Sequence, residues 1–331
     1  MFPEKVFFEP SVLEYELGKI LKEKFAQVPW IPIESHNSIG ELQRNPNKEF
    51  IKMKRYLIIG VRKTHKYVPN HKVSDFLVPY TSSGCSASCL YCYLVCNYNK
   101  CSYLRLFVNR EQMMDKLIKT SAQATKELTF EIGSNSDLVL ENTITQNLEW
   151  SIERFAKKEK GFITFPTKFD KVETLLALDH RGRTIVRMSV NPQLIIQKVE
   201  IGTSPLKKRI EALNQLCYAG YKVGLLIAPI VLVENWRELY AQLIEQLANE
   251  LSEKVKKELF IEIIFMTYSY VHRMINNEAF PQAIELYDQS LMRGRGPGRY
   301  CYKEDVRQEG ELFLREEIAK KLGGIPILYV V

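Results

Sequence analysis

Between residues 77 and 266 short apolar runs alternate with amphipathic ones, and this alternation restricts the fold more than any other property of the chain. The apolar runs at 77–81, 128–133, 162–166, 184–190, 222–229 and 259–266 read as strands, each followed by a loop. Helical spacing is read between them at 111–126, 148–158, 171–178, 205–219 and 236–257. Pro205 at the first helical position and Gly220 beyond the last frame one of these helices. Asp170 with Glu173 resembles a capping box before another, and Leu239, Leu243, Leu247, Leu251 and Val255 mark one buried face of a third. Alternating strands and helices predict an α/β fold with a parallel sheet, and six units rather than eight predict a partial (βα)6 barrel over residues 77–331. Residues 1–76 read as a separate N-terminal α/β lobe, with helical spacing at 12–25, breakers at Pro29 and Pro32, and a strand at 56–61 set between basic flanks.

In a parallel barrel the functional residues belong to loops after the strands. The first such loop carries Cys85, Cys89 and Cys92, a CxxxCxxC spacing with Tyr91 directly before the last cysteine. Four-cysteine ligation of a cubane closes every iron, whereas three thiolates leave one iron open to a ligand. Cys85, Cys89, Tyr91 and Cys92 closely resemble the pattern of radical S-adenosylmethionine (AdoMet) enzymes. Zinc more commonly takes two CxxC or CxxC and HxxxH pairs, and no second pair exists in this chain.

The 331 residues have the composition of an ordinary globular protein. Seven cysteines, five of them in the single segment 85–101, argue for a reducing compartment rather than a disulfide scaffold. The longest apolar run is too short to span a bilayer and the first residues lack a signal-peptide pattern, so a cytoplasmic protein that does not enter membranes is expected. The net charge of +7 is unevenly placed. Residues 44–72 hold nine Lys or Arg against Glu49 alone, and the acid-free stretch 293–303 sets Arg293, Arg295, Arg299 and Lys303 among glycines and tyrosines. Both patches suit phosphates, and the second reads as a hairpin whose glycines permit close approach to a duplex. A solvated basic face is the simpler alternative.

The run from Cys85 through Tyr93, together with Tyr103-Leu104-Arg105-Leu106-Phe107-Val108-Asn109, Thr167-Lys168-Phe169-Asp170, His272-Arg273 and Arg299-Tyr300, resembles the spore photoproduct lyase family over nearly the whole chain. The resemblance implies a [4Fe-4S] cluster on Cys85, Cys89 and Cys92, with AdoMet as cofactor. It implies that a 5'-deoxyadenosyl radical opens the methylene-bridged thymine dimer in ultraviolet-damaged DNA. It also implies an electron donor such as flavodoxin or ferredoxin. By matching segments, Ser136, Lys168 and Ser189 resemble the AdoMet contacts, Arg299 and Tyr300 the DNA-side loop, and Tyr91 and Tyr93 the pair that relays a hydrogen atom. As bare residues, the serines equally suit loop capping, Lys168 a surface charge, and the two tyrosines a core.

In one place the chain departs from the family. Members of the family carry a cysteine after the second barrel strand as the final hydrogen donor, and the corresponding place here is filled by Ser134. An O–H bond is much stronger than an S–H bond, so serine is a poor hydrogen-atom donor. Two expectations follow: either Cys96 or Cys101 supplies a thiol from another direction, or the substrate is a different nucleic acid or nucleotide. A non-catalytic Fe-S or zinc module that binds nucleic acid is a third, less motivated reading.

Overall fold

The computed structural model describes residues 2–94, 103–157 and 160–331. Its contacts divide the chain into one unit of Met1–Ser86, Leu94–Phe165 and Glu173–Ile185 and another of Ala87–Tyr93, Pro166–Val172 and Val186–Val331.

In the first unit, β1 (Lys5–Phe8), β2 (Trp30–Pro32) and β3 (Tyr56–Gly60) form a parallel sheet with β1 in the centre. Val6, Leu57 and Ile59 are fully buried in one core with Leu17, Leu21 and Phe25 of the helix Glu16–Lys24. Each such side chain contributes roughly 1.5–3 kcal/mol of burial. The helical spacing at 12–25 resolves into a 3-10 turn, Pro10–Glu14, followed by that helix. The chain then runs through β4 (Val68–Pro69), β5 (Phe76–Leu77) and β6 (Ser82–Ser83). Beyond β7 (Ser88–Cys89) comes β8 (Arg105–Phe107), which lies parallel to β3 and extends the N-terminal sheet; β6 closes its edge antiparallel to β8. The next strand, β9 (Thr129–Glu131), pairs parallel with β5.

The remaining strands are β10 (Phe162–Thr167), β11 (Thr184–Val190), β12 (Glu200–Ile201), β13 (Lys222–Ile230) and β14 (Phe260–Phe265). They are followed by β15 (Thr267–Ser269), β16 (Met292–Gly294), β17 (Arg299–Tyr302) and β18 (Ile327–Val330). The large sheet has the order β18-β14-β13-β11-β10-β9-β5-β4. It is the partial barrel that the alternation predicts: five of the six expected strands lie where expected, the run 77–81 is strand only at Leu77 in the two-residue β5, and β18 adds a parallel edge to β14. In the second unit its strands are buried on both faces, as parallel strands are. Along β11, Val186, Met188 and Val190 alternate with Arg187 and Ser189, so every second residue on one face is polar although all are buried.

Two helices differ from expectation. The segment 236–257 is two helices, Trp236–Glu250 and Glu253–Glu258. Leu251 turns extended between them, and the Ser252 hydroxyl accepts the Val255 N–H at 3.3 Å as a new N-cap. The segment 171–178 contains only a 3-10 turn, Glu173–Leu175. Asp170 does not cap it: the Ser204 hydroxyl donates to its carboxylate at 2.5 Å and accepts its N–H at 3.1 Å.

Candidate active site

The cysteine loop is held by its backbone. In the first unit Gly84, at φ 79°, donates its N–H to Asn135 O at 2.8 Å and bridges to Ser136, so the turn after β9 lies against the start of the loop. Lys54, nearly fully buried, donates to Cys85 O at 2.8 Å. In the second unit β7 pairs antiparallel with β12, placing Cys89 opposite Glu200, and Leu90 N–H donates to Val199 O at 2.9 Å. The helix Tyr270–Ala279 supports the next turn: Asn276 Nδ2 donates to Leu90 O at 2.7 Å, and His272 Nδ1 lies 2.9 Å from Cys92 O. A carbonyl only accepts, so that imidazole carries its proton on Nδ1. Cys85, Cys89 and Cys92 are half-buried and in no disulfide. Among the described residues no three His, Cys, Asp or Glu side chains gather as ligands of one metal ion. In a cluster each thiolate takes its own iron.

Behind this loop Glu200 is fully buried and completely satisfied. Its Oε1 accepts from Tyr91 OH at 2.5 Å, Lys168 Nζ at 2.7 Å and Asn191 Nδ2 at 3.0 Å, and its Oε2 from Arg209 Nη2 at 2.7 Å. Burial alone would raise the Glu200 carboxyl, but Lys168 and Arg209 outweigh it and hold the group at about 2. Burial and then the charge of Glu200 push the Tyr91 phenol well above its usual range. Lys168 also donates to Ser189 Oγ and to Ala228 O, each at 2.8 Å, so all three ammonium hydrogens have protein acceptors. Ser189 in turn donates to Ala228 O at 3.0 Å. Arg209, itself fully buried, ties the network to Ser189 O and Ser204 O at 2.9 and 2.7 Å.

The basic hairpin is formed by β16 and β17, with β15 on the outer side of β17. Gly296 and Gly298 adopt left-handed φ of 63° and 73° in its turn. Arg293, Arg295 and Arg299 are exposed. Tyr300 is clamped between Tyr270 and Tyr287, both with ring centroids at 4.1 Å, and the Arg273 guanidinium lies 4.3 Å over Tyr287. Tyr270 and His272 share one helix, so a single element braces both the hairpin aromatic and the cysteine loop.

The model of the spore photoproduct lyase family matches residues 1–331. The chain belongs to the spore photoproduct lyase family. It is 34% identical over 312 residues to a spore photoproduct lyase of Bacillus subtilis, covering 92% of this chain and 91% of that one. It is 30% identical over 336 residues to one from a Geobacillus species, covering 99% and 98%. The fold is similar, with a TM-score of 0.91 at 29% identity, to a solved spore photoproduct lyase mutant with dinucleoside spore photoproduct, over 100% of this chain and 99% of that one. A second mutant, solved with bound AdoMet and dinucleoside spore photoproduct, gives 0.92 at 29% over the same shares.

As a member of this family the chain is an enzyme that repairs spore photoproduct. Its residues fit the implied cofactors: three cysteines outside any disulfide, at CxxxCxxC spacing, are a cluster's donor set, and Ser136 Oγ is buried with no hydrogen-bond partner among the described residues, as a ligand-binding hydroxyl would be. Ser134 is half-buried in the turn after β9. Tyr93 is 51% exposed whereas Tyr91 is locked on Glu200. Cys96 and Cys101 lie outside the described residues. Cys217 is buried in the core, with its thiol 3.8 Å from Glu258. Glu200, Arg209, Asn191 and Asn276 were not singled out by sequence; the alternation of Arg187 and Ser189 in a buried strand, continued by Asn191 just beyond its end, was the available signal.

Proposed function

We propose that this chain is a radical AdoMet lyase that reverts spore photoproduct, 5-thyminyl-5,6-dihydrothymine, to two thymines in ultraviolet-damaged DNA. The observation that carries the reading is the family match over residues 1–331 with the three-cysteine loop intact. It supports the spore lesion as substrate over a different nucleic acid. Cys85, Cys89 and Cys92 would hold a [4Fe-4S] cluster, which with AdoMet would supply a 5'-deoxyadenosyl radical for hydrogen abstraction from the lesion.

The chain's own residues bind and orient. The Lys54, Glu200 and His272 contacts fix the loop that presents the thiols. Ser136, Lys168 and Ser189 contact AdoMet: the Ser136 hydroxyl is unpartnered among the described residues, while Lys168 keeps its bond to Glu200 and exchanges its bond to Ser189 or to Ala228 O for an incoming carboxylate. Arg299 binds a phosphate at the hairpin tip and Tyr300 fills the space beside the lesion. Hydrogen return falls to Cys96 or Cys101, with Tyr91 and Tyr93 relaying, because Ser134 cannot readily give a hydrogen atom. The N-terminal lobe, residues 1–76, precedes the catalytic barrel, 77–331. We place the enzyme in the cytoplasm, served by flavodoxin or ferredoxin; no helix among the described residues is long and apolar enough to cross a membrane.

The test is anaerobic reconstitution followed by incubation with AdoMet, reductant and a dinucleotide carrying the lesion. Thymidine release is expected, with loss of all activity in Cys89→Ala. Formation of 5'-deoxyadenosine without thymidine from that dinucleotide overturns the assigned substrate. Unchanged turnover in both Cys96→Ala and Cys101→Ala overturns the assigned donors.

A further inference from the structure

We propose that the first unit carries a phosphoryl-binding site, separate from the cysteine loop, at the carboxyl ends of β1, β2 and β3. Three independent features of this unit point to it: strand order, the chemistry of the lining, and the way the lining is fixed.

Strand order comes first. The sheet order β2-β1-β3-β8 puts β1 in the middle, so the chain leaves it to one side to form β2 and crosses to the other to form β3. In open parallel sheets the crevice outside the carboxyl ends at such a reversal is where ligands bind. A cavity of about 210 Å³ lies there, lined by Glu9 after β1, by Ser35, His36 and Asn37 after β2, and by Arg62, Lys63 and Thr64 after β3. A neighbouring cavity of about 410 Å³ shares Glu9 and Lys63 with it.

The lining consists mainly of donors. Lys63 and Thr64 are exposed at the mouth. Arg62 is held in place, with Nε donating to Tyr80 O at 2.8 Å and its guanidinium 3.8 Å over the Phe107 ring, so little ordering is required when an anion arrives. The one buried acid is turned to the protein: the Glu9 carboxylate accepts from His36 N at 3.0 Å, His36 Nδ1 at 2.8 Å and Val61 N at 2.9 Å. Those three bonds join the loops after β2 and β3. Gly60 is required for this packing, since a Cβ there would stand 2.7 Å from His36 Nδ1. A cavity smaller than the roughly 300–1,000 Å³ of drug-sized pockets fits a phosphoryl group with its water rather than a whole dinucleotide. That group belongs either to the DNA backbone or to a free phosphate or nucleotide.

The experiment uses the full reconstituted chain and the exposed-site variants Lys63→Glu and Lys63→Ala, with circular dichroism as the control for folding. Inorganic phosphate binding is measured by calorimetry, and binding of an undamaged duplex by anisotropy over a salt series. Weakening of phosphate binding by about tenfold in Lys63→Glu, with duplex affinity unchanged, supports the site with a free phosphate as its ligand. A fall in duplex affinity of about fivefold or more, with a salt slope reduced by about one, supports it with a backbone phosphate as its ligand. If folded Lys63→Glu and Lys63→Ala change neither measurement, the site is refuted. Thymidine release is not read, so failure here leaves the lesion chemistry untouched.

Discussion

Glu200 and Glu262 are both fully buried carboxylates in the second unit, and each accepts from an arginine and, at 2.5 Å, from a tyrosine hydroxyl. The hydrogen bonds described for Glu262 come from Arg187 Nη1 at 3.0 Å and Tyr329 OH. Glu200 additionally takes Lys168 and Asn191, and its backbone stands opposite Cys89. One carboxylate therefore ties strand to strand, while the other ties strands to the loop that carries the thiols. Burial and pairing look alike in both, so neither distinguishes a structural ion pair from one that positions a reactive loop. The elements at the far end of the bonds do.

The largest expected effect follows from neutralising each carboxylate. Glu200→Gln and Glu262→Gln each leave a buried cation uncompensated and cost about 3–5 kcal/mol in denaturant unfolding. Their catalytic consequences differ. Per mole of intact cluster, Glu200→Gln is expected to lose at least about 100-fold in 5'-deoxyadenosine formation, whereas Glu262→Gln stays within roughly threefold. Equal losses in the two variants would dissolve the distinction.

Acid provides a second separation. The Glu200 carboxyl falls from 4.5 to about 2 on folding. A group lowered in this way contributes stability that is fully present above 4.5 and is lost as pH falls towards 2. Acid unfolding of the wild type should therefore steepen over that window, and Glu200→Gln should lack that part of the dependence. A variant with the wild-type acid profile would show that Glu200 is not the group responsible.

Legibility from sequence divides along similar lines. The strands β10, β11, β13 and β14 are readable because each is a run of mainly apolar residues buried on both faces, whereas the run 77–81 forms only the two-residue, half-buried β5; Cys85, Cys89 and Cys92 are readable because their ligation depends on local spacing. The Glu200 network was not, because its members come from residues 91, 168, 191, 200 and 209, and no local pattern links them. Glu200 in particular sits in a two-residue strand, too short to register as periodicity. The helix read at 171–178 failed for a related reason: Asp170 had a distant partner, Ser204, that outcompeted the local cap.

The smallest effect concerns the two tyrosines. Tyr91→Phe removes one of the four donors on Glu200, and Tyr329→Phe one of two kinds on Glu262; a hydrogen bond to a charged group is worth about 1.5–3 kcal/mol. Tyr329 is half-buried, so its loss should fall at or below the lower end of that range. Stability alone would thus rank the two close together. If Tyr91 also relays hydrogen, Tyr91→Phe should lower the ratio of thymidine released to 5'-deoxyadenosine formed, while Tyr329→Phe should leave that ratio at the wild-type value however much it destabilises. A ratio unchanged in Tyr91→Phe would reduce Tyr91 to a strut on Glu200, and leave the exposed Tyr93 as the tyrosine able to pass a hydrogen atom.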